Sequence, residues 1–257
     1  KQWLHDNNVE LVICGGDLVE HPDEAAVRDG VERLADLGKP VLLTLGNHDL
    51  ASPEALEIWR RVVDGRDRIT LADRHLELDD CDLYLLNNHW DDGDGPGMYW
   101  DPTPPYRHQP CLAAPQLDWL DERLTRHHDR PAVVVVHSQL DPVPPNAPKL
   151  EDYIPPDYPA RLNAVLDKHP HCRLVLTGHC HVTTAAGHGQ RVHLTTGALG
   201  EAPYEFRLLE VTERVIAVST EALDVTGGPA PPVDPERSWA LGEPQDRQFL
   251  LPLCETC

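Results

Sequence analysis

The chain has 257 residues, 40% of them hydrophobic, with 22 Lys and Arg against 43 Asp and Glu, a formal net charge of −21. That length fits one large α/β domain, or one domain with a tail. The acidic balance, with no basic patch, argues against broad binding to nucleic acid or to an anionic membrane. No apolar run approaches the ~18 residues that a membrane span requires.

The seven cysteines are odd in number and scattered, which suits a reducing, cytoplasmic setting better than a disulfide framework. Cys254 and Cys257 have C-x-x-C spacing at the end of the chain. Without a second pair they read as part of a flexible tail.

In chain order, Val9 to Cys14 reads as a first strand. Pro22-Asp23-Glu24 opens a helix with Pro and acids in its first turn. Val27, Val31 and Leu34 form its buried face at i, i+4, i+7, and Gly38 closes it. This is a βαβ crossover into Val41–Leu45, which predicts parallel strands. Ser52-Pro53-Glu54 starts a second helix through Val63. Arg74–Leu78 and Leu83–Asn88 read as strands around an acidic turn. His89 to Pro115, rich in Asp, Gly, Pro and aromatics, is expected to be a lid over a site. A helix from Gln116 to about His127 leads into strand Ala132–Val136. A Pro-rich loop follows to Pro159, then a helix over Arg161–Lys168 and a strand over Arg173–Thr177. Arg191–Thr196, Tyr204–Val211 and Arg214–Thr220 are predicted strands, and residues from about 226 on look irregular.

Four of these apolar strands end on residues that bind metals or move protons. The first runs into Gly15-Gly16-Asp17, the second into Gly46-Asn47-His48-Asp49, the third into His137-Ser138, and the fourth into Gly178-His179-Cys180-His181. In open α/β sheets, ligands bind beyond the carboxyl ends of strands. Asp, Asn, His and His-x-His delivered to one edge form a metal-site constellation. A mixed N/O donor set with no thiolate suits Mn, Fe, Zn or Co. His179 and His181, two apart in an extended backbone, would face the same side, with Cys180 turned away as a small filler. His89 is a candidate phosphate contact. His127, His128, His169, His171, His188 and His193 fall on helix ends or turns and read as solvated.

As a set, the GD, GNHD, lone post-strand His and GHxH motifs resemble those of the calcineurin-like metallophosphoesterases, over roughly residues 1 to 211. The resemblance implies a four-layer α/β/β/α sandwich of two mixed sheets flanked by helices. It implies a metallophosphoesterase domain over residues 1–225, with 226–257 as an irregular C-terminal tail. It also implies two divalent or trivalent transition-metal ions. Asp17 would bridge them, Asn47, His137 and His179 would complete one ion, and His181 would bind the other. A bridging hydroxide would attack phosphorus in line, and His48, oriented by Asp49, would protonate the leaving alkoxide. The expected activity is phosphodiester or phosphomonoester hydrolysis on a small-molecule substrate, with no specific nucleic acid or membrane partner. A nuclease of the same fold and a non-catalytic scaffold are the alternatives.

The family's opening Asp-x-His strand has no counterpart here. His5-Asp6 has the reverse order, in a stretch that reads as a helix end. The chain starts at Lys1 and its one methionine is Met98, so the first strand is expected to lie upstream of this sequence. Only Asp17 and His181 would then remain for the second ion.

Overall fold

The computed structural model describes residues 1–91, 93–101, 103, 109–142, 157–223 and 235–253. Its first half holds α1 (Gln2–Asp6), β1 (Val12–Cys14), α2 (Glu24–Asp36), β2 (Val41–Leu43), α3 (Ala55–Val63), β3 (Ile69–Leu71), β4 (Arg74–Glu77), β5 (Asp82–Leu85), β6 (His89–Asp91), β7 (Pro96–Gly97), β8 (Gln109–Cys111) and α4 (Ala114–Arg126). The second half holds β9 (Ala132–Val135), α5 (Asp157–Leu166), β10 (Cys172–Thr177), β11 (Thr184–His188), β12 (Arg191–Thr195), β13 (Glu205–Val211), β14 (Val215–Ala222), α6 (Pro244–Arg247) and β15 (Gln248–Pro252).

Local chemistry sets the helix that carries the first crossover. Asp23 caps α2 by accepting the Ala26 amide at 2.9 Å, and Gly38 ends the turn at φ +77°, a conformation that favours glycine. Val27, Val31 and Leu34 are buried, as their spacing predicts. Strands β1, β2 and β3 then pair in parallel. A second sheet has the order β11-β12-β10-β9-β5-β4. Its centre, β12-β10-β9-β5, is parallel, and β11 and β4 are antiparallel at its edges. Strands β13-β14-β15 form a third, antiparallel sheet, and β7-β6-β8 a small fourth one.

Side chains that alternate across strands sort these sheets into layers. Val41 and Leu43 face α2 and α3, where Val27, Val31, Trp59 and Val62 cover them. Leu42 between them points the other way and joins Leu83, Leu85, Val133, Val135, Leu174 and Leu176 of the six-stranded sheet. Ile216, Val218 and Leu251 of the third sheet enter that same inner layer. On the far side, Tyr84, Val134 and Val175 meet Leu117, Leu120 and Leu124 of α4 and Leu162 of α5. The result is the expected order of helices, sheet, sheet, helices. Strands β5, β9 and β10 are buried throughout, as parallel strands covered on both faces should be.

The sequence reading missed β3, β11 and β15. Residues 235–253 are not irregular as expected, because β15 completes the third sheet against β14 and α6 lies beside it. The aromatic stretch after β5, expected as a lid, builds the β7-β6-β8 sheet, and Trp90 is buried within it. The Pro-rich stretch before α5 and the Cys254/Cys257 pair lie outside the described residues, as does Tyr106. Among the described residues, no helix is long and apolar enough to cross a membrane.

Candidate metal centre

Four strand ends meet where the β1-β2-β3 sheet faces the six-stranded sheet: β1 and β2 from the first, β9 and β10 from the second. Asp17 leaves β1 after Gly16, which has φ +103°. A Cβ on Gly16 would sit 2.5 Å from His137 Nδ1, and one on Gly46 would sit 2.6 Å from His137 Cε1 and collide with Asp17 Oδ1. The two glycines therefore let both loops close around one imidazole.

That imidazole is fixed in one tautomer. His137 Nδ1 lies 2.7 Å from the Gly15 carbonyl oxygen, which can only accept, so Nδ1 carries the proton and Nε2 presents its lone pair. His137 Nε2 is 3.2 Å from Asn47 Oδ1, 3.1 Å from His179 Nδ1 and 3.2 Å from Asp17 Oδ2. His179 Nδ1 is 2.8 Å from Asn47 Oδ1. Ligand atoms about 2.0–2.2 Å from a common ion would be spaced about 2.8–3.6 Å from one another. The four donors fit one transition ion on spacing, on donor chemistry and on the tautomer of His137.

The electrostatics agree. Burial alone would raise the Asp17 carboxyl, but His137, His179 and His48 together hold it well below the usual carboxylate range. Burial disfavours the His137 imidazolium, yet Asp17 beside it raises its pKa above the ordinary value. His179 is pushed down to about 3 by burial, with His137 adding to the effect. Asp17 and His137 thus favour positive charge between them, while His179 stays neutral and able to ligate.

His181 differs from expectation. The backbone there is not extended, since His179 has φ +69° and His181 φ +54°, so the two rings do not share a face by strand alternation. His181 is not part of the tight Asp17, His137, His179 group. Its Nδ1 lies 3.5 Å from Glu201 Oε2, with the side chain 39% exposed. Cys180 is buried between the two histidines, as expected. His5 and Asp6, the nearest match to the missing Asp-x-His motif, face solvent on α1 and contact each other at 3.4 Å.

Asp49 is fully buried, but its carboxylate does not serve as expected. Its Oδ1 accepts the amides of Leu18 at 2.9 Å and Val19 at 3.1 Å, and its Oδ2 the amide of Gly46 at 3.0 Å. It staples the Asp17 loop to the Asn47 loop in place of orienting His48. Burial and Asp17 push its carboxyl up to about 7, with the Gly46 and Val19 amides pulling the other way. His48 starts a 3-10 turn, and its backbone amide donates to Asp17 Oδ1 at 2.9 Å. The His48 ring is partly exposed, with Nδ1 3.4 Å from Glu20 Oε1 and its centroid 5.4 Å from that of Trp100, the rings tilted at 45°. Trp100 belongs to the aromatic stretch expected as a lid, whereas Glu20 was not singled out by the sequence. Glu20 carried a readable signal, an acid three residues after the candidate ligand Asp17.

His89 is turned away from the cluster. Along β6 its neighbour Trp90 packs 6.3 Å from the His179 ring, so His89 faces the opposite side. There it lines a cleft of about 690 Å³ with Asp73, Arg74, Asn87 and Met98, where burial lowers its pKa. No metal-cluster residue lines that cleft, so a phosphate contact by His89 finds no support in the geometry.

Residues 1–183 match the sequence profile of the calcineurin-like phosphoesterases. The chain belongs to that family. A Synechococcus protein named as a probable cyclic nucleotide phosphodiesterase is 28% identical over 217 residues, covering 81% of this chain and 74% of its own length. Among solved structures, a dimetal phosphatase from Danio rerio superposes with a TM-score of 0.63 at 14% identity, covering 86% of this chain and 83% of its own. The TT1561 protein of Thermus thermophilus gives 0.59 at 13% identity, covering 86% and 89%. The structural likenesses bear on the fold, which is that of the family.

Proposed function

We propose that this family member is a metal-dependent hydrolase of small-molecule phosphoesters, with phosphodiesters as the preferred class. The reading rests on the convergence of Asp17, Asn47, His137 and His179, whose donor atoms lie at coordination spacing. These four would hold one ion, and His181 together with Asp17 would contribute to a second. Bound ions would supply Lewis acidity toward phosphoryl oxygens and activate water near neutral pH.

The chain's own groups do the rest. Glu20 Oε1 lies 3.4 Å from His48 Nδ1 and would favour a proton on that ring, leaving Nε2 to deliver one to the leaving alkoxide. Trp100 packs beside that ring, tilted at 45° with centroids 5.4 Å apart. Asp49 fixes the spacing of the two ligand loops, a positioning role. The name of the Synechococcus relative supports a diester, and the net charge of −21 disfavours a long polyanionic substrate.

The test is turnover of a chromogenic phosphodiester by chelator-stripped protein reloaded with Mn2+, Fe2+, Zn2+ or Co2+, beside a panel of cyclic nucleotides and monoesters. Metal-restored turnover with diesters ahead of monoesters is expected. A protein that reloads with metal and turns over none of them would overturn the reading in favour of a non-catalytic role.

A further inference from the structure

A second group of metal-binding side chains lies at the other end of the six-stranded sheet. Asp82 opens β5 and pairs with Ala132, the first residue of β9, whereas His137 follows that strand's far end. The two clusters are therefore separated by the length of the parallel strands. Asp82 is fully buried, and its Oδ2 lies 3.3 Å from His75 Nε2 and 3.5 Å from His127 Nδ1. The His75 and His127 rings are 4.6 Å apart at 69°. His75 comes from β4, Asp82 from β5 and His127 from the C-terminal end of α4.

The geometry is not that of a hydrogen-bonded trio. The His75 side chain is only 8% exposed, yet its Nε2 is buried with no hydrogen-bond partner among the described residues. The Asp82 Oδ2, which accepts the Tyr84 hydroxyl at 3.5 Å, lies 3.3 Å away without making a hydrogen bond to that nitrogen. Atoms that share an ion behave this way: they stand an edge of the coordination polyhedron apart and aim at a common centre. Tetrahedral N/O ligands at about 2.0–2.2 Å give edges of about 3.3–3.6 Å, which match both distances.

The surroundings support a cation. Arg130 Nε donates to the other Asp82 oxygen at 2.9 Å, a contact that fixes a ligating carboxylate from outside. Tyr84 stacks flat on His75 at 4.5 Å and holds its ring plane. Glu77, Asp79 and Asp80 in the same hairpin add negative potential. Two imidazoles and one carboxylate suit a borderline ion such as Zn2+. The His127 side chain, 18% exposed, leaves a solvent side for entry and for a water ligand.

We propose that His75, Asp82 and His127 bind a single Zn2+-class ion that fastens the end of α4 to the β4–β5 hairpin, a structural site separate from the Asp17 centre. The experiment uses the full chain, stripped by chelator and titrated with Zn2+ against a chromogenic competitor, for wild type, His127→Gln and His75→Gln. A parallel series carries Asp17→Asn and His179→Gln to weaken the other centre. His127→Gln should bind one equivalent less than wild type in both backgrounds, lose the part of the Zn2+-induced rise in melting temperature that this site supplies, and keep wild-type diester turnover at saturating metal. Should His75→Gln fail to fold, His127→Gln decides, since its side chain is partly exposed. Equal Zn2+ stoichiometry in wild type and His127→Gln, with equal thermal shifts, would overturn the proposal and leave the trio a packing feature. The outcome is independent of phosphoesterase activity, because the Asp17 series reports on that centre separately.

Discussion

Asp49 Oδ1 accepts the amide of Leu18 at 2.9 Å across 31 residues of sequence, while its second oxygen accepts the amide of Gly46 within its own loop. One carboxylate thus sets the distance between the loops that carry Asp17 and Asn47. Asp49→Asn keeps the shape but turns an NH2 group toward one of these amides. A donor facing a donor in a buried site costs about 1–3 kcal/mol. Chemical denaturation should show a loss of that size, and metal affinity should fall with it. Unchanged stability would mean that the staple is redundant.

His48→Ala should retain bound metal and lose roughly 10²–10⁴-fold in kcat, the usual worth of a positioned proton donor. The backbone amide of residue 48 still reaches Asp17 in the variant, so the ligand loop stays in place. Glu20→Gln should show the same pattern more weakly, with its effect concentrated in the pH profile of kcat. Elemental analysis beside steady-state kinetics separates the roles: metal lost together with activity would make His48 a ligand.

Gly46→Ala should damage the centre where Gly15→Ala does not. A Cβ at 46 collides with Asp17 and His137, whereas one at 15 meets nothing within 4 Å. Overpacking of this kind costs about 1–3 kcal/mol, and here it displaces two ligands at once. Metal titration of the two variants should show sharply weakened binding for the first and near wild-type binding for the second.

His171 gives the fold a pH dependence of known sign. Burial, with His169 and His128 adding, pushes its pKa from 6.5 down to about 4. Between those values the unfolded chain binds a proton that the native chain refuses, so stability rises with pH across that window. The melting temperature should therefore fall as pH drops from about 6.5 to about 4, and His171→Gln should flatten part of that slope. Parallel slopes for the two proteins would remove His171 from the account.

The residues that converge at the candidate metal centre were legible because they sit at strand ends, where a buried apolar run stops at a Gly or a His. The four-layer fold came from the family resemblance that those strand-end motifs carry, while the continuous apolar runs marked only strands covered on both faces. What failed was anything set by contacts far apart in sequence. Asp49 looked like a partner of its neighbour His48, but it bonds to backbone at Leu18 and Val19. His179 and His181 looked like alternating strand positions, but both adopt positive φ, which spacing alone does not reveal. His127, His169 and His193 looked solvated on helix ends and turns. His169 and His193 are buried, each beside an aspartate from a distant segment, Asp121 and Asp141. The strand β15 escaped notice because its partner β14 lies across a long intervening stretch.

Gly16, Gly46 and His137 fill one another's space. The missing side chains at 16 and 46 are occupied by the ring at 137, and no one of the three can grow alone without evicting another. Inherited variation at these positions is therefore locked. A lineage can keep all three or abandon the arrangement, and a single step between those states leaves either a collision or a hole. Gly15, whose Cβ would meet open space, carries no such bond to its neighbours' fate. Among descendants of a common ancestor, residues 16, 46 and 137 should travel as one block, while residue 15 drifts.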